Sequence, residues 1–323
     1  MKNIAIILAG GIGSRLNAGI PKQFLKVAGL TVIEHTISTF QRHSLIDEIA
    51  IVANEAYHHK IGEYVVKNKF SKVKKILMSG AERHFSSLSA IKAYENGEEC
   101  NLIFHDAVRP LISSQIIDRV IVALQIYEAV DVAIPSADTI IQVDSANTIM
   151  GIPPRRVLRR GQTPQGFRLN TIKAAYDEAL KDPDFITTDD CGVVLKYLPE
   201  TKIYVVEGED SNMKLTYKED FYLIEKLFQL RMTNFQEHAL TDDEKEKLQG
   251  KVIVLFGASS GIGFDLMNLC CDCGAVVYGF SRSMNHVDIQ DLGSVRSAFS
   301  SVAKEVNRID YVIDTGSVLY KEL

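Results

Sequence analysis

Ile4-Ala5-Ile6-Ile7-Leu8-Ala9-Gly10-Gly11-Ile12-Gly13-Ser14-Arg15 lies close to the start of the chain. Ile4 to Leu8 has no polar member, which is the pattern of a strand buried on both faces. The run ends in Gly10, Gly11 and Gly13, three glycines in four positions, which let the backbone turn tightly and approach a ligand. A helix face follows, with Ile33, Ile37 and Phe40 at i, i+4 and i+7. Strand, glycine turn and helix then recur. Apolar strands are read at 48–53, 73–78, 102–105 and 130–134, and Ile117, Val120, Ile121 and Leu124 mark another helix before the last of them. This alternation predicts an α/β fold, with a mostly parallel sheet and helices on both faces.

Further along, two stretches break the rhythm. Residues 138–160 are polar, contain Pro153-Pro154 and end in Arg155-Arg156-Val157-Leu158-Arg159-Arg160; they read as a β-arm leaving the sheet. After a helix at about 216–231, residues 232–250 are rich in charge, including Asp242-Asp243-Glu244-Lys245-Glu246-Lys247, and read as a linker. The pattern restarts at Lys251, with strands at 252–256, 275–280 and 309–313, a glycine loop at 257–263, and a helix face formed by Val295, Phe299, Val302 and Val306. Two domains are expected, 1–231 and 251–323, the second a partial repetition of the first domain's architecture.

The chain has 323 residues, 46% hydrophobic and 24% charged, an ordinary globular mixture. Its formal net charge is -5, and neither part is basic, which argues against a nucleic-acid partner. No apolar run approaches the ~18 residues needed to cross a bilayer. The apolar N-terminus runs straight into its glycine loop without a cleavage pattern, unlike a signal peptide. Five cysteines lack metal-ligand spacing and read as reduced thiols. These readings predict a cytoplasmic protein without a membrane partner.

The first glycine loop can cradle phosphate oxygens on its backbone N–H groups, with Arg15 and Lys22 adding positive charge beside it. No Gly-Lys-Ser/Thr closes it, so it is not a P-loop. Ala9-Gly10-Gly11-Ile12-Gly13-Ser14-Arg15 followed by Pro21-Lys22-Gln23 resembles the sugar-phosphate cytidylyltransferases. Further blocks of that family follow in order: Gly80-Ala81-Glu82-Arg83 with Ser86-Ser87, His105-Asp106-Ala107-Val108-Arg109-Pro110, Gly161-Gln162-Thr163-Pro164-Gln165, Thr188-Asp189-Asp190, and Gly208 to Lys214. The resemblance spans roughly residues 2–230 and implies a Rossmann-like nucleotidyltransferase domain.

It also implies the reaction, attack of an alditol phosphate on the α-phosphorus of CTP with release of pyrophosphate, assisted by Mg²⁺. A phosphate nucleophile is already ionised at neutral pH, its second pKa being near 6. Charge neutralisation and in-line positioning, rather than a general base, are then what the site must supply. The matched motifs make Arg15, Lys22 and Lys214 the catalytic cations. They place Ala9, Gly10, Gly11, Gly13, Gly80, Arg83, Ser87, Asp106, Thr163 and Asp189 around the substrates, with Asp106 beside the metal. Arg109 and Arg155 would hold the incoming phosphate. Asp189 and Asp190 admit two readings, a metal pair or a helix N-cap. His105 can be read as a base or as a packed hydrogen-bonding residue. The resemblance further implies a homodimer formed through residues 138–160.

Gly257-Ala258-Ser259-Ser260-Gly261-Ile262-Gly263 follows a strand and opens a helix, the context of a dinucleotide-binding loop. Its spacing resembles the short-chain dehydrogenase/reductase family, which implies cofactor contacts at Gly257, Gly261, Ile262 and Gly263. Arg282 would meet a 2′-phosphate, hence NADP, and Asp288 the adenine side. The match then fails. Asp314-Thr315-Gly316-Ser317 stands where that family has Asn-x-Ala-Gly, and residues 251–323 contain no Tyr-x-x-x-Lys. Any NADP site is therefore expected to be vestigial, without reductase activity. The order of the two parts resembles fused enzymes in which a cytidylyltransferase precedes a reductase forming ribitol 5-phosphate. D-Ribitol 5-phosphate is thus the expected substrate, with 2-C-methyl-D-erythritol 4-phosphate as the alternative; a catalytically idle nucleotide-binding relic is a third reading.

Overall fold

The computed structural model describes residues 1–11, 20–80, 82–233 and 241–316. Gly13 and Arg15 lie outside the described residues. The chain divides into two compact units, residues 1–234 and 235–323.

In the first unit β1 (Lys2–Ala9) pairs in parallel with β2 (Glu48–Ala53) and β4 (Cys100–Asp106), with Leu8 opposite Val52 on one side and Asp106 on the other. β3 (Val73–Met78) extends the sheet beyond β2. β5 (Ala129–Pro135) is joined to β4 through the antiparallel β9 (Gln165–Arg168). The short β8 (Arg159–Gly161) runs antiparallel along the same side of β5, and β10 (Ile203–Glu207) runs parallel along the other. The sheet is therefore mostly parallel, as the alternation predicts. Its antiparallel strands, β8 and β9, stand at the end of the 138–160 excursion and just after it.

Both faces of β1 are buried because its alternate residues serve two cores. Ala5, Ile7 and Ala9 pack with α1 (Val32–Arg42) and α4 (Ser114–Leu124). Ile4 and Ile6 pack on the other side with α3 (Arg83–Tyr94), α5 (Leu169–Ala179) and α6 (Asp190–Tyr197). Removing each such fully buried isoleucine from water is worth ~1.5–3 kcal/mol. α1 begins at a capping box, in which the Thr31 hydroxyl accepts from the Glu34 N–H and the Glu34 carboxylate accepts from the Thr31 N–H.

The excursion is an arm that carries a small antiparallel pair, β6 (Gln142–Val143) with β7 (Ile149–Gly151). Its apolar side chains Ile140, Ile141, Val143, Ile149, Met150, Ile152 and Val157 are all 43–72% exposed. α7 (Lys218–Thr233) ends close to the expected boundary. The expected linker is not structureless: residues 242–248 form a helix started by a Thr241–Glu244 capping box.

The second unit has a three-stranded parallel sheet, with β11 (Val252–Phe256) between β12 (Val276–Phe280) and β13 (Tyr311–Asp314). α8 (Gly261–Asp272) and α9 (Leu292–Glu305) accompany it.

Candidate functional site

The C-terminal ends of β1 and β4 lie side by side, so Gly10 and Asp106 meet where a parallel sheet presents its loops. Gly10 cannot carry a side chain, since a Cβ there would lie 2.7 Å from Ser79 Cβ. Gln23 is buried and its Nε2 donates to the carbonyls of Ala9 and Gly11, at 2.8 and 3.1 Å, anchoring the start of the loop. Among the described residues nothing lies within 4 Å of where a Cβ on Gly11 would stand. Lys22, in the adjoining turn, donates its Nζ to the Thr216 carbonyl, which brings the Pro-Lys-Gln block beside the segment that carries Lys214.

Asp106 is the centre of charge. Its carboxylate is nearly buried, and three cations converge on it. Arg83 Nη1 reaches Oδ1 at 2.7 Å, Lys214 Nζ reaches Oδ2 at 2.9 Å, and Arg109 Nε lies 3.6 Å from Oδ2. Burial works against the ionised form, but Arg83, Lys214 and Arg109 outweigh it and hold Asp106 well below the usual carboxylate range. The family motifs at 83, 106, 109 and 214 thus form one cluster, assembled from α3, β4 and the segment before α7.

A hydrogen-bonded chain fixes the loop behind it. The Thr163 hydroxyl accepts from the Asp106 N–H at 3.1 Å and lies 3.0 Å from His105 Nδ1, while His105 Nε2 lies 3.2 Å from the Arg109 carbonyl. The consistent tautomer has Nε2–H donating to Arg109 and Nδ1 accepting from Thr163. Burial pushes the His105 pKa down to about 4, so the ring is neutral at pH 7. With both nitrogens engaged and no exposure, His105 takes the packed, hydrogen-bonding role rather than that of a base.

Asn212, also fully buried, ties this loop to the 208–214 segment. Its side-chain amide donates to the Thr163 carbonyl and to Gln162 Oε1, and its backbone carbonyl accepts from Arg109. Thr163 precedes a cis proline, Pro164.

Gly80 packs so tightly that a Cβ would lie 2.0 Å from Phe85 Cβ. α3 begins just after it without a side-chain cap at Glu82. Among the described residues, Arg83 Nε is buried without a hydrogen-bond partner, while the buried Ser87 hydroxyl lies against that of Tyr176. An orphaned donor beside uncapped helix amides suits a polar ligand.

Asp189 and Asp190 resolve into a cap and a brace. Asp189 Oδ1 accepts from the Gly192 N–H at 2.8 Å, making it the N-cap of α6, and its Oδ2 accepts from Gln165 at 3.0 Å. Both oxygens thus serve the fold; among the described residues no hydrogen bond or ion pair joins Asp189 to the Asp106 cluster, although its charge is felt at Arg83. Asp190 is fully buried and accepts from Arg83 at 3.2 Å and from the Tyr176 hydroxyl at 2.7 Å.

Gln165 also donates to Asp131 Oδ1 at 3.1 Å. Burial, with the neighbouring Asp189 charge, raises the Asp131 pKa to about 6 although the Gln165 bond opposes the shift. Sequence reasoning missed Asp131 and Tyr176, for which no motif signals, and gave Gln23 and Asn212 no role although both lie inside quoted blocks; for Asp190 it offered a metal pair or an N-cap, not the contact with Arg83.

Arg155 stands apart. It lies on the arm, donates to the Ala137 carbonyl at 2.9 Å, and lines a cavity of about 660 Å³ with Pro135, Ser136, Pro154, Arg156 and Arg159. No ion pair joins it to the Asp106 cluster among the described residues.

The site does not form a metal cage from protein groups alone. Both Asp106 oxygens are held by cations, and among the described residues no three His, Cys, Asp or Glu side chains gather. Mg²⁺ commonly binds through one or two carboxylates plus substrate phosphates, and a single carboxylate is what this site offers.

In the second unit glycine is required by space at 257 and 263 and favoured by the backbone conformation at 257 and 261. A Cβ on Gly263 would lie 2.2 Å from the Gly257 carbonyl oxygen, and Gly257 and Gly261 have φ of +82° and +58°. Arg282 Nε lies 3.3 Å from Asp288 Oδ2. The residues that the dinucleotide reading singles out therefore do form a strand–turn–helix junction with an ion pair beyond its second strand. Among the described residues no helix is long and apolar enough to cross a membrane.

Known proteins match this geometry. The family model of 2-C-methyl-D-erythritol 4-phosphate cytidylyltransferases matches residues 3–230. A bifunctional ribulose 5-phosphate reductase/CDP-ribitol pyrophosphorylase of Haemophilus influenzae is 43% identical over 320 residues, covering 98% of this chain and 67% of that protein. A 2-C-methyl-D-erythritol 4-phosphate cytidylyltransferase of Thermobifida fusca is 41% identical over 228 residues, 69% of this chain and 92% of that one. Among solved structures, the 4-diphosphocytidyl-2C-methyl-D-erythritol synthase of Anaerococcus prevotii superposes with a TM-score of 0.63 at 30% identity, over 71% of this chain and 96% of that one.

Proposed function

Since the chain belongs to the 2-C-methyl-D-erythritol 4-phosphate cytidylyltransferase family, we propose that its first unit transfers the cytidylyl group of CTP to D-ribitol 5-phosphate, forming CDP-ribitol and pyrophosphate for a capsule- or teichoic-type polysaccharide. Cytidylyl transfer is the family's reaction. The choice of ribitol rests on one observation: similarity to a CDP-ribitol pyrophosphorylase runs along 98% of the chain, whereas the methylerythritol enzyme of Thermobifida fusca aligns with 69% of it.

The residues suit a reaction that needs cations and positioning more than proton transfer. The substrate phosphate is its own nucleophile, and His105 is neutral and fully engaged. Lys214 and Arg109 are stored on Asp106, and Lys22 is stored on the Thr216 carbonyl. A triphosphate entering over Gly10 and Gly11 would draw these cations, with Arg15, onto charge that grows at the α-phosphorus. Ser87 and Arg83 Nε would meet the cytosine side. Mg²⁺ carried in on the triphosphate would add charge neutralisation, with Asp106 as its carboxylate. Arg155 would hold the alditol phosphate from the arm. The exposed apolar side chains of the arm support a homodimer formed there.

For the second unit we propose a short-chain-reductase-like segment in which Gly257, Gly261, Ile262 and Gly263 would hold the NADP pyrophosphate. Arg282 would turn from Asp288 to the 2′-phosphate. The reduced cofactor, NADPH, would supply hydride, but these residues offer no Tyr-x-x-x-Lys to move the accompanying proton.

The test is pyrophosphate release from CTP and Mg²⁺ with each alditol phosphate in turn. Faster release with ribitol 5-phosphate is expected. A clear preference for 2-C-methyl-D-erythritol 4-phosphate would overturn the substrate assignment, and CTP binding without turnover on either would favour the idle relic.

A further inference from the structure

Arg83 is gripped at both ends of its guanidinium fork, and only one of the two grips belongs to the site as described. Nη1 is held by Asp106 at 2.7 Å and Nη2 by Asp190 at 3.2 Å. Asp190 sits in the first turn of α6 with no exposure at all. Its Oδ1 accepts from the Tyr176 hydroxyl on α5 at 2.7 Å, and its backbone N–H donates to Gln165 Oε1 at 3.2 Å. A fully buried carboxylate is costly unless it is paired and hydrogen-bonded. Here the pairing is directed at one residue of the charged cluster.

Resting on the cytidylyltransferase reading above, we infer that Asp190 is a positioning residue for the transfer, fixing Arg83 so that Asp106, Lys214 and Arg109 keep their places around the reacting phosphates. A free arginine side chain has several rotatable bonds and loses much rotamer entropy when ordered. Its planar fork can be locked by two carboxylates, whereas a lysine offers a single point charge. Asp190 lies behind Arg83, so it reaches the cluster through Arg83. The cluster with its brace holds Arg83, Lys214 and Arg109 against Asp106 and Asp190, one positive charge in excess.

That balance separates positioning from a merely structural role. Asp190→Asn keeps the shape and the acceptor for Tyr176 but removes a negative charge near an anion site. CTP binding should therefore hold or improve, while turnover falls about tenfold because Arg83 is no longer clamped. In an Arg83→Gln background the same Asp190→Asn change should cost nothing further, since coupled residues lose additivity. Initial rates with CTP and ribitol 5-phosphate, on variants whose thermal unfolding has been checked, read both effects. A loss that persists undiminished without Arg83, or one expressed wholly as a raised KM for CTP, overturns the inference while leaving the cytidylyltransferase reading intact. Should Asp190→Asn fail to fold, Arg83→Lys carries the test. It leaves Asp190 and its Tyr176 bond in place but cannot span two carboxylates, so it should show the same fall in kcat, and normal turnover there overturns the relay. An unmodified chain that turns over no alditol phosphate overturns the reading and the inference together.

Discussion

Single residues carry the sharpest expectations. Lys22 spans the Pro-Lys-Gln turn and the segment before α7 through its bond to the Thr216 carbonyl. If it then meets charge that appears only as the α-phosphorus is attacked, Lys22→Ala should lower kcat by ~10²–10³ with little change in CTP affinity. Steady-state kinetics decide this: near-normal turnover with a raised CTP requirement would make Lys22 a ground-state binder. Asp131 yields a prediction about stability. Its folded pKa of about 6 lies above the ordinary value of 3.8. Between those values the native state binds the extra proton, so stability falls as pH rises and the full cost is present above about pH 6. Asp131→Asn should therefore stabilise the protein by ~1–3 kcal/mol at pH 7.5 and by far less at pH 4.5. Urea unfolding at both pH values tests the sign; a gain that does not depend on pH would exclude ionisation as the cause.

Asp189 acts at the scale of an element. Its carboxylate caps α6 and braces Gln165. Loss of such a cap costs ~1 kcal/mol, and Asp189→Ala should lower Tm by a few degrees, as differential scanning calorimetry would show. An unchanged Tm would mean that the cap contributes nothing. The arm is the other element whose behaviour is open to test. Its β6–β7 pair carries apolar side chains to solvent, and a second copy is the proposed cover. Replacing Ile149 and Met150 by serine should shift sedimentation at micromolar concentration from dimer towards monomer. A wild-type chain that sediments as a monomer would remove the dimer from the proposal.

For the whole molecule, the two units differ in what they can be expected to do. The first brings five motif blocks, from α3, β4, the Thr163 loop, α6 and the segment before α7, to one end of a sheet. The second has a glycine junction in which a Cβ on Gly257 or Gly263 has no room, yet residues 251–323 contain no Tyr-x-x-x-Lys. These 323 residues should oxidise no NADPH in the presence of ribulose 5-phosphate, measured by absorbance at saturating cofactor. Substrate-dependent oxidation would show that a different group supplies the proton.

Much was legible in the sequence because its signals are local. Uninterrupted apolar runs dictated buried strands, 3.6-residue periodicity dictated helices, and the glycine runs marked turns, in which a side chain at 10, 257 or 263 has no room. The motif blocks named Arg83, Asp106, Arg109 and Lys214 one by one. The linker reading missed the 242–248 helix, although its Thr241–Glu244 capping box was present in the residues. Only the tertiary structure decided which groups share a field: that three cations converge on Asp106, that Asp189 caps a helix while its neighbour Asp190 grips Arg83, and that Asp131 is half-buried beside a second carboxylate. Apart from the Asp106–Arg109 and Asp189–Gly192 contacts, which are local, those facts depend on residues far apart in sequence, such as Arg83 with Asp106, Gln165 with Asp131 and Arg83 with Asp190, 23, 34 and 107 positions apart. Burial and Coulomb attraction act through space, so a pattern of neighbours along the chain cannot encode them.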